Sequence, residues 1–305
     1  MPNDLMDTIQ ELYASFSKGQ KAIADYILQH YDKAAFMTAA KLGQTVGVSE
    51  STVVRFVVEL GFDGYPELKK ELQRLIRNKL TSLQRMQVTE DKVRDSGVLR
   101  SVLTSDMLNI SETLQQLDPA AFDQAVDKLL QARNIYIIGV RSAGTLASFL
   151  SYNLTLAFDN IRQVDANGAS EMFEQIMRID EKDVVIGISF PRYSKRTVRA
   201  LNFASDRGAT VIALTDSITS PLAQYASILL IAQSDMASYV DSLVAPMSLI
   251  NALIVGVTLK KRNEVEQVFM ELEQIWEEYK VYDKNNVDSA KDIRRLYVQF
   301  KAKGQ

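Results

Sequence analysis

Residues 38–60 read TAAKLGQTVGVSESTVVRFVVEL, and their spacing predicts a helix-turn-helix. Two short helices that cross closely need a small residue on the inner face of the first, and Gly43 stands there between Leu42 and Val46. Gly47 supplies the tight turn, where a positive φ is sterically cheap. Ser49 is placed as the N-cap of the second helix, and Val53, Phe56, Val57 and Leu60 form an apolar stripe at helical spacing. That leaves Glu50, Ser51, Thr52 and Arg55 toward solvent near the helix start, where DNA-binding versions of the motif meet base edges and phosphates. A corner of this kind also occurs in helical proteins that never touch DNA. The coincidence of small residue, glycine, apolar residue and cap in one register favours the DNA-binding form.

Upstream, Asp4 to Met37 reads as two helices, with Ile9, Leu12, Tyr13 and Phe16 on one face and Ile23, Ile27, Leu28 and Tyr31 on the next. His30, the sole histidine, is expected at a helix end, with a surface or dipole role rather than a catalytic one. Downstream, Gly61–Pro66 is a turn, and the proline begins a helix that runs to about Leu80. Tyr65, Lys69 and Lys70 stand at the start of that helix, where backbone N–H groups suit a phosphate. The expected DNA contacts are Ser49, Glu50, Ser51, Thr52 and Arg55 on the second helix, flanked by Thr38, Lys41, Tyr65 and Lys69.

The chain has 305 residues, 47% hydrophobic and 24% charged, which allows two domains with an ordinary core. With no cysteine there is no disulfide, thiolate zinc site or cysteine nucleophile, and one histidine makes a metal cluster an unlooked-for feature; no cofactor is expected. The start, MPNDLMDTIQELY, lacks the pattern of a signal peptide, and no stretch approaches the ~20 apolar residues of a membrane span, so the expected location is cytoplasmic with no membrane partner. The net charge of −3 hides a gradient: between Ala39 and Val88 eight Lys or Arg (Arg74, Arg77, Lys79 and Arg85 among them) face five acids. The expected reader is locally basic, which suits phosphate contacts.

From Thr81 to Gly97 the sequence is polar and aperiodic, as in a linker, and a helix is expected over Val98–Leu117 with Val102, Leu103, Met107, Ile110 and Leu114 on one side. That stripe would rest on the second domain or on a partner chain. From Pro119 strands alternate with helices. Asn134–Val140, Asp183–Phe190, Thr210–Thr215 and Ile228–Ala232 are apolar runs typical of buried parallel strands, and Ile161–Asp165 is a shorter fifth. Helices are expected at Ser142–Phe158, Gly168–Ile179, Lys195–Gly208 and Asp241–Lys261. The expected fold class is α plus α/β: an all-helical helix-turn-helix domain (residues 1–80), a connecting region (81–118), a five-stranded parallel α/β/α sandwich (119–262) and a helical extension (263–305) whose apolar stripe runs from Val265 to Trp276. If the strand order is the flavodoxin-like 2-1-3-4-5, the ligand crevice lies between the first and third strands.

Two loops meet at that crevice. One carries Gly139, Arg141 and Ser142, the other Ser189, Arg192, Ser194 and Thr197, and both lead directly into helices. Any one serine reads as a simple N-cap. Hydroxyls, arginines and unpaired N–H groups at two helix N-termini together suit a phosphate or a similar anion.

With both halves in view, the chain resembles the RpiR/MurR family of bacterial transcriptional regulators, over nearly its whole length. The residues that carry the resemblance are TAAKLGQTVGVSESTVVRFVVELGFDGYPELK and ISFPRYSKRTVRALNFASDRGATVIALTDS. It implies an N-terminal helix-turn-helix joined to a sugar isomerase (SIS) domain, binding to double-stranded operator DNA as a homodimer or homotetramer, and control by a phosphorylated sugar or sugar acid of carbohydrate metabolism. The family's phosphate-loop serines and threonine fall on Ser189, Ser194 and Thr197. The first loop departs from the pattern, because Ala143 occupies the usual serine position and leaves Arg141 and Ser142 as substitutes.

The rival reading is a phosphosugar aldose–ketose isomerase, since SIS domains also occur in such enzymes. That chemistry needs a base beside a carbonyl and an acid for ring opening. The second domain has no histidine, and only Glu171 or Glu174 offers a lone base, so the expected catalytic set is empty.

Overall fold

The computed structural model describes residues 5–76, 81, 83, 85–86, 97–165, 168–235 and 240–281. Arg77 and Lys79 of the basic region, most of the linker reading and the tail beyond residue 281 lie outside the described residues, as do the side chains of Lys70 and Arg74.

The N-terminal unit contains α1 (Leu5–Leu12), α2 (Lys18–Ala34), α3 (Ala39–Val46), α4 (Glu50–Glu59) and α5 (Tyr65–Ile76). A capping box starts α2: Gln20 N–H donates to Ser17 Oγ, and the Ser17 N–H donates to Gln20 Oε1 at 2.9 Å. Ile9, Ile23, Ile27, Leu42, Phe56 and Leu68 meet in one apolar core, so each helix contributes its expected stripe. His30 stands at the kink of α2, its own φ −138° and ψ 38° non-helical, so it ends one helical stretch before the chain turns on to Ala34, with its ring against Tyr26 at 5.1 Å.

After α6 (Val98–Gln115) and α7 (Pro119–Gln131) come β1 (Ile135–Gly139), α8 (Ser142–Leu154), β2 (Ile161–Gln163), α9 (Ala169–Ile176), β3 (Val184–Ile188), α10 (Lys195–Asp206), β4 (Thr210–Thr215), β5 (Ile228–Ile231), α11 (Val244–Lys260) and α12 (Arg262–Glu278). The sheet is parallel, in the order β2-β1-β3-β4-β5. Alternation along the strands sends Ile135, Ile137, Ile186 and Leu214 to the face covered by α7, α8 and α11, and Tyr136, Ile138, Val185 and Val211 to the face covered by α9 and α10. The strands thus read as continuous apolar runs because both faces are buried.

Most of the apolar stripe of α6 does not rest on the second domain. The helix buries Asn109 and Thr113, while Leu103, Met107, Ile110 and Leu114 stand outward, Met107 and Leu114 each 70% exposed. Its polar residues hold the chain after β5: Gln233 N–H donates to Thr113 Oγ1 at 2.8 Å, Asp235 N–H to Asn109 Oδ1 at 3.2 Å and Ser242 Oγ to Asp106 Oδ1 at 2.6 Å. On α12 only Val265 of the expected stripe is buried; Phe269 and Ile275 are exposed. Among the described residues no single helix is long and apolar enough to cross a membrane.

Candidate functional site

The helix corner is built from caps. Lys41 N–H donates to Thr38 Oγ1 at 3.1 Å and Thr52 N–H to Ser49 Oγ at 3.3 Å, which starts α3 and α4. Gly47 ends α3 in the left-handed region (φ 76°), and its N–H returns to Gly43 O. Thr38, Lys41, Ser49, Glu50, Ser51 and Arg55 are exposed, and Arg55 Nε donates to Ser51 O at 3.4 Å, drawing the guanidinium along α4.

Three placements differ from the expectation. Thr52 is half-buried: its hydroxyl bonds Ser49 Oγ at 2.9 Å and its methyl faces α2 at Gly19. Tyr65 is a core residue, its ring buried and its hydroxyl donating to Met37 O at 3.2 Å, so its side chain is withdrawn from any DNA surface. Lys69 is half-buried one turn further on. Val54 and Val58 are exposed on the outer face of α4 beside Ser51 and Arg55, which the apolar stripe alone did not single out. Their signal was present in the sequence, since residues 51, 54, 55 and 58 share a face when 53, 56 and 57 are turned inward. Exposed methyl groups of this kind suit contact with thymine.

The second site is a cleft of about 750 Å³ over the C-terminal ends of β1 and β3, where the strand order reverses. Gly139 lets α8 approach the sheet: a Cβ there would collide with the Ala143 carbonyl. The loop then passes through Arg141 at φ 59°, and Gly144 N–H closes the turn on Arg141 O at 2.9 Å. After β3, Ser194 N–H donates to Ser189 Oγ at 3.1 Å, and Arg196 N–H and Thr197 N–H donate to Ser194 Oγ at 3.2 and 3.4 Å. Tyr193 pins this loop to the end of β4 through its hydroxyl on Asp216 Oδ1 at 2.8 Å. Arg192 in the same loop has φ 65°. Two arginines therefore hold left-handed backbone, a strained state for residues with side chains, and strain of this kind clusters at ligand sites.

Arg141, Ser142, Ser189, Arg192 and Ser194 line the cleft together. Gly139 does not; it borders a neighbouring hollow of about 440 Å³ shared with Gln163 and Asp165. Thr197 does not line the cleft either: it is fully buried behind the loop, its Oγ1 without a hydrogen-bond partner. Sequence reasoning missed Lys195, Arg196, Arg85 and Asp241 in the cleft wall. The first two adjoin a residue already chosen, whereas Arg85 and Asp241 carry no local mark. Their ion pair, Nη1 to Oδ1 at 2.9 Å, closes one side. Five cationic side chains thus face a single carboxylate. Neither glutamate of the isomerase reading is in the cleft: Glu174 accepts from Ser170 Oγ at 3.0 Å beside a different hollow, and Glu171 lies against Gly168.

The family model described as "Helix-turn-helix domain, rpiR family" matches residues 3–79, and the one described as "SIS domain" matches residues 128–256. An uncharacterized HTH-type transcriptional regulator of Haemophilus influenzae is 32% identical over 232 residues, 75% of this chain and 79% of that protein. The chain belongs to the RpiR family. The HTH-type transcriptional regulator HexR of Pseudomonas aeruginosa is 28% identical over 271 residues, 85% of this chain and 90% of its own. Among solved structures, the sugar isomerase domain of an RpiR transcription factor from Sphaerobacter thermophilus is 28% identical with a TM-score of 0.54, over 57% of this chain and 96% of that one. The Vibrio vulnificus NanR protein, complexed with ManNAc-6P, shares the fold at 20% identity and a TM-score of 0.55, over 89% of this chain and 97% of that one. Relatives that span both domains are named as transcriptional regulators, and this RpiR-family chain is a regulator of that kind, not an enzyme.

Proposed function

We propose that this RpiR-family regulator takes a phosphorylated sugar or sugar acid in the cleft between β1 and β3, and that occupancy sets its affinity for double-stranded operator DNA. The observation that carries this reading is the cleft's charge and geometry: two helix N-termini converge on a space lined by five cations and one carboxylate. Backbone N–H groups and helix dipoles there favour an anion, and the arginines offer bidentate donors to a phosphate. NanR, a protein of the same fold, is complexed with ManNAc-6P. The DNA-reading face is Glu50, Ser51 and Arg55 with the adjoining Val54 and Val58, flanked by Thr38, Lys41 and Lys69.

The outward apolar face of α6 fits a second copy of the chain, because α6 spends its polar residues on its own body and leaves Leu103, Met107 and Leu114 uncovered. Pairing there would let a change at the cleft alter the spacing of two recognition helices, in a cytoplasmic homo-oligomer. Coupling requires that the ligand bind the DNA-competent and incompetent states with different affinity.

A thermal-shift screen against sugar phosphates and sugar-acid phosphates, followed by a gel shift on promoter DNA with any hit, tests this. The expected result is a stabilising ligand that changes the DNA midpoint and loses its effect in Ser194→Ala. A hit with no effect on DNA binding removes the control role, and turnover of the hit revives the isomerase reading.

A further inference from the structure

Arg85 belongs to neither loop of the cleft. It comes from the segment that joins the helix-turn-helix domain to α6, in a helical turn where its N–H donates to Thr81 O at 3.0 Å. Its side chain is nonetheless 1% exposed, among the largest buried side chains of the described chain, and it reaches the wall of the ligand cleft. There it meets Asp241, the single acid among the cleft residues, at 2.9 Å. Asp241 is next to Ser242, whose hydroxyl is held by Asp106 of α6. The Arg85–Asp241 ion pair and the neighbouring Ser242–Asp106 hydrogen bond thus join the segment before α6, the cleft wall and α6 itself.

A buried guanidinium needs a counter-charge, and here the counter-charge sits in the path of an anionic ligand. A phosphate entering between Arg141 and Arg192 is repelled by the Asp241 carboxylate and attracted by Arg85, Lys195 and Arg196. It also presents more charge and more acceptor oxygens than a carboxylate. From this geometry we infer that Arg85 is a ligand-binding residue supplied by the connecting segment, and that its exchange from Asp241 to the ligand's phosphate is the step by which occupancy reaches the DNA-binding domain. The inference rests on the anion reading of the cleft and extends it. The exchange supplies the two contact arrangements that any coupling needs: Arg85 on Asp241 without ligand, Arg85 on phosphate with it.

The test uses the full chain and inorganic phosphate as probe, titrated calorimetrically at low ionic strength, with circular dichroism melts to confirm folding. Asp241→Asn removes the competing charge and Arg85's ion pair with it, so it is expected to lower the melting temperature without phosphate and to tighten phosphate binding by roughly three- to tenfold. Arg85→Ala is expected to weaken binding at least about tenfold, and Arg85→Lys by less, since an ammonium keeps the charge but not the fork. Should Arg85→Ala not fold, Arg85→Lys and Asp241→Asn still decide. Unchanged or weakened phosphate binding in a folded Asp241→Asn overturns the exchange. If the wild-type chain binds phosphate, Ser194→Ala loses it and the Arg85 and Asp241 variants match wild type, the cleft reading stands and only the Arg85 role falls. If the wild-type chain takes up no phosphate, both fall together.

Discussion

Gly43 faces the carbonyl oxygen of Val48 across the helix corner, and a Cβ built on it would stand 2.8 Å from that oxygen. The obstacle is backbone, held in place by the Val48 N–H on Gly43 O at 2.9 Å, so it cannot swing aside as a side chain would. Gly43→Ala is expected to destabilise the N-terminal domain by about 1–3 kcal/mol and to abolish DNA binding at temperatures where the second domain stays folded. Thermal melts with a gel shift check this; a wild-type melt would show that the corner can open.

Arg55 lies along the outer face of α4 with its Nε on Ser51 O. Arg55→Ala is expected to weaken operator binding by about 1–3 kcal/mol while phosphate binding is retained. Fluorescence anisotropy with labelled promoter DNA measures it, and an unchanged dissociation constant removes Arg55 from the reading face. Val54→Ala is expected to shift preference among operator variants at thymine positions more than overall affinity.

Burial pushes the Tyr65 phenol up to about 12. Its folded value exceeds the unfolded value of about 10, so the stability it contributes is complete below pH ~10 and is lost as pH rises from there through about 12. Tyr65→Phe forfeits one hydrogen bond, to Met37 O, and is expected to cost about 1 kcal/mol and leave DNA binding unchanged. A phenolate absorbance titration and an anisotropy measurement test the two halves; loss of DNA binding in a stably folded Tyr65→Phe would restore Tyr65 to the surface role.

At the opposite end of the sheet from the cleft, Asp183 is buried at the start of β3. Burial by itself would raise its carboxyl, but hydrogen bonds from Arg133, from Asn134 Nδ2 at 2.9 Å and from the Asp180 N–H at 3.0 Å outweigh it and hold the group below the usual carboxylate range. The stability this supplies is present above the unfolded value of about 3.9 and disappears as pH falls through the lower folded value. Asp183→Asn is expected to cost about 2–3 kcal/mol near neutrality, with the gap to wild type closing in strongly acidic buffer. Denaturant unfolding across that pH range checks the sign, and a gap that is constant with pH contradicts it.

The helix corner was legible because it is local. Small residue, turn glycine, cap and stripe all fall within residues 38–60, and each answers to backbone geometry that neighbours in sequence impose. The strand order was conditional in the sequence and is met by the sheet, because apolar runs separated by crossover helices leave few right-handed arrangements. The cleft loops were legible in part. Ser189 and Ser194 do close one loop, but Thr197 turned inward, since its place one turn into α10 faces the sheet core beside Ala200 and Leu201. The place of the Tyr65 ring was not legible either: a helix start exposes backbone N–H groups, yet says nothing of where an aromatic ring is covered, and here the ring joins the core.

By itself the sequence determined what short-range periodicity and backbone conformation control: the helix-turn-helix, the parallel strands, and two anion-ready helix starts at their ends. Tertiary structure decided which side of α6 is buried, because Asn109 and Thr113 find backbone partners after β5 that outweigh the inward pull of Leu103 and Met107. It also decided that Arg85 meets Asp241, 156 residues away. A contact over that separation leaves no period or motif in the chain, and it exists only because Arg85 and Asp241 are brought to the same cleft.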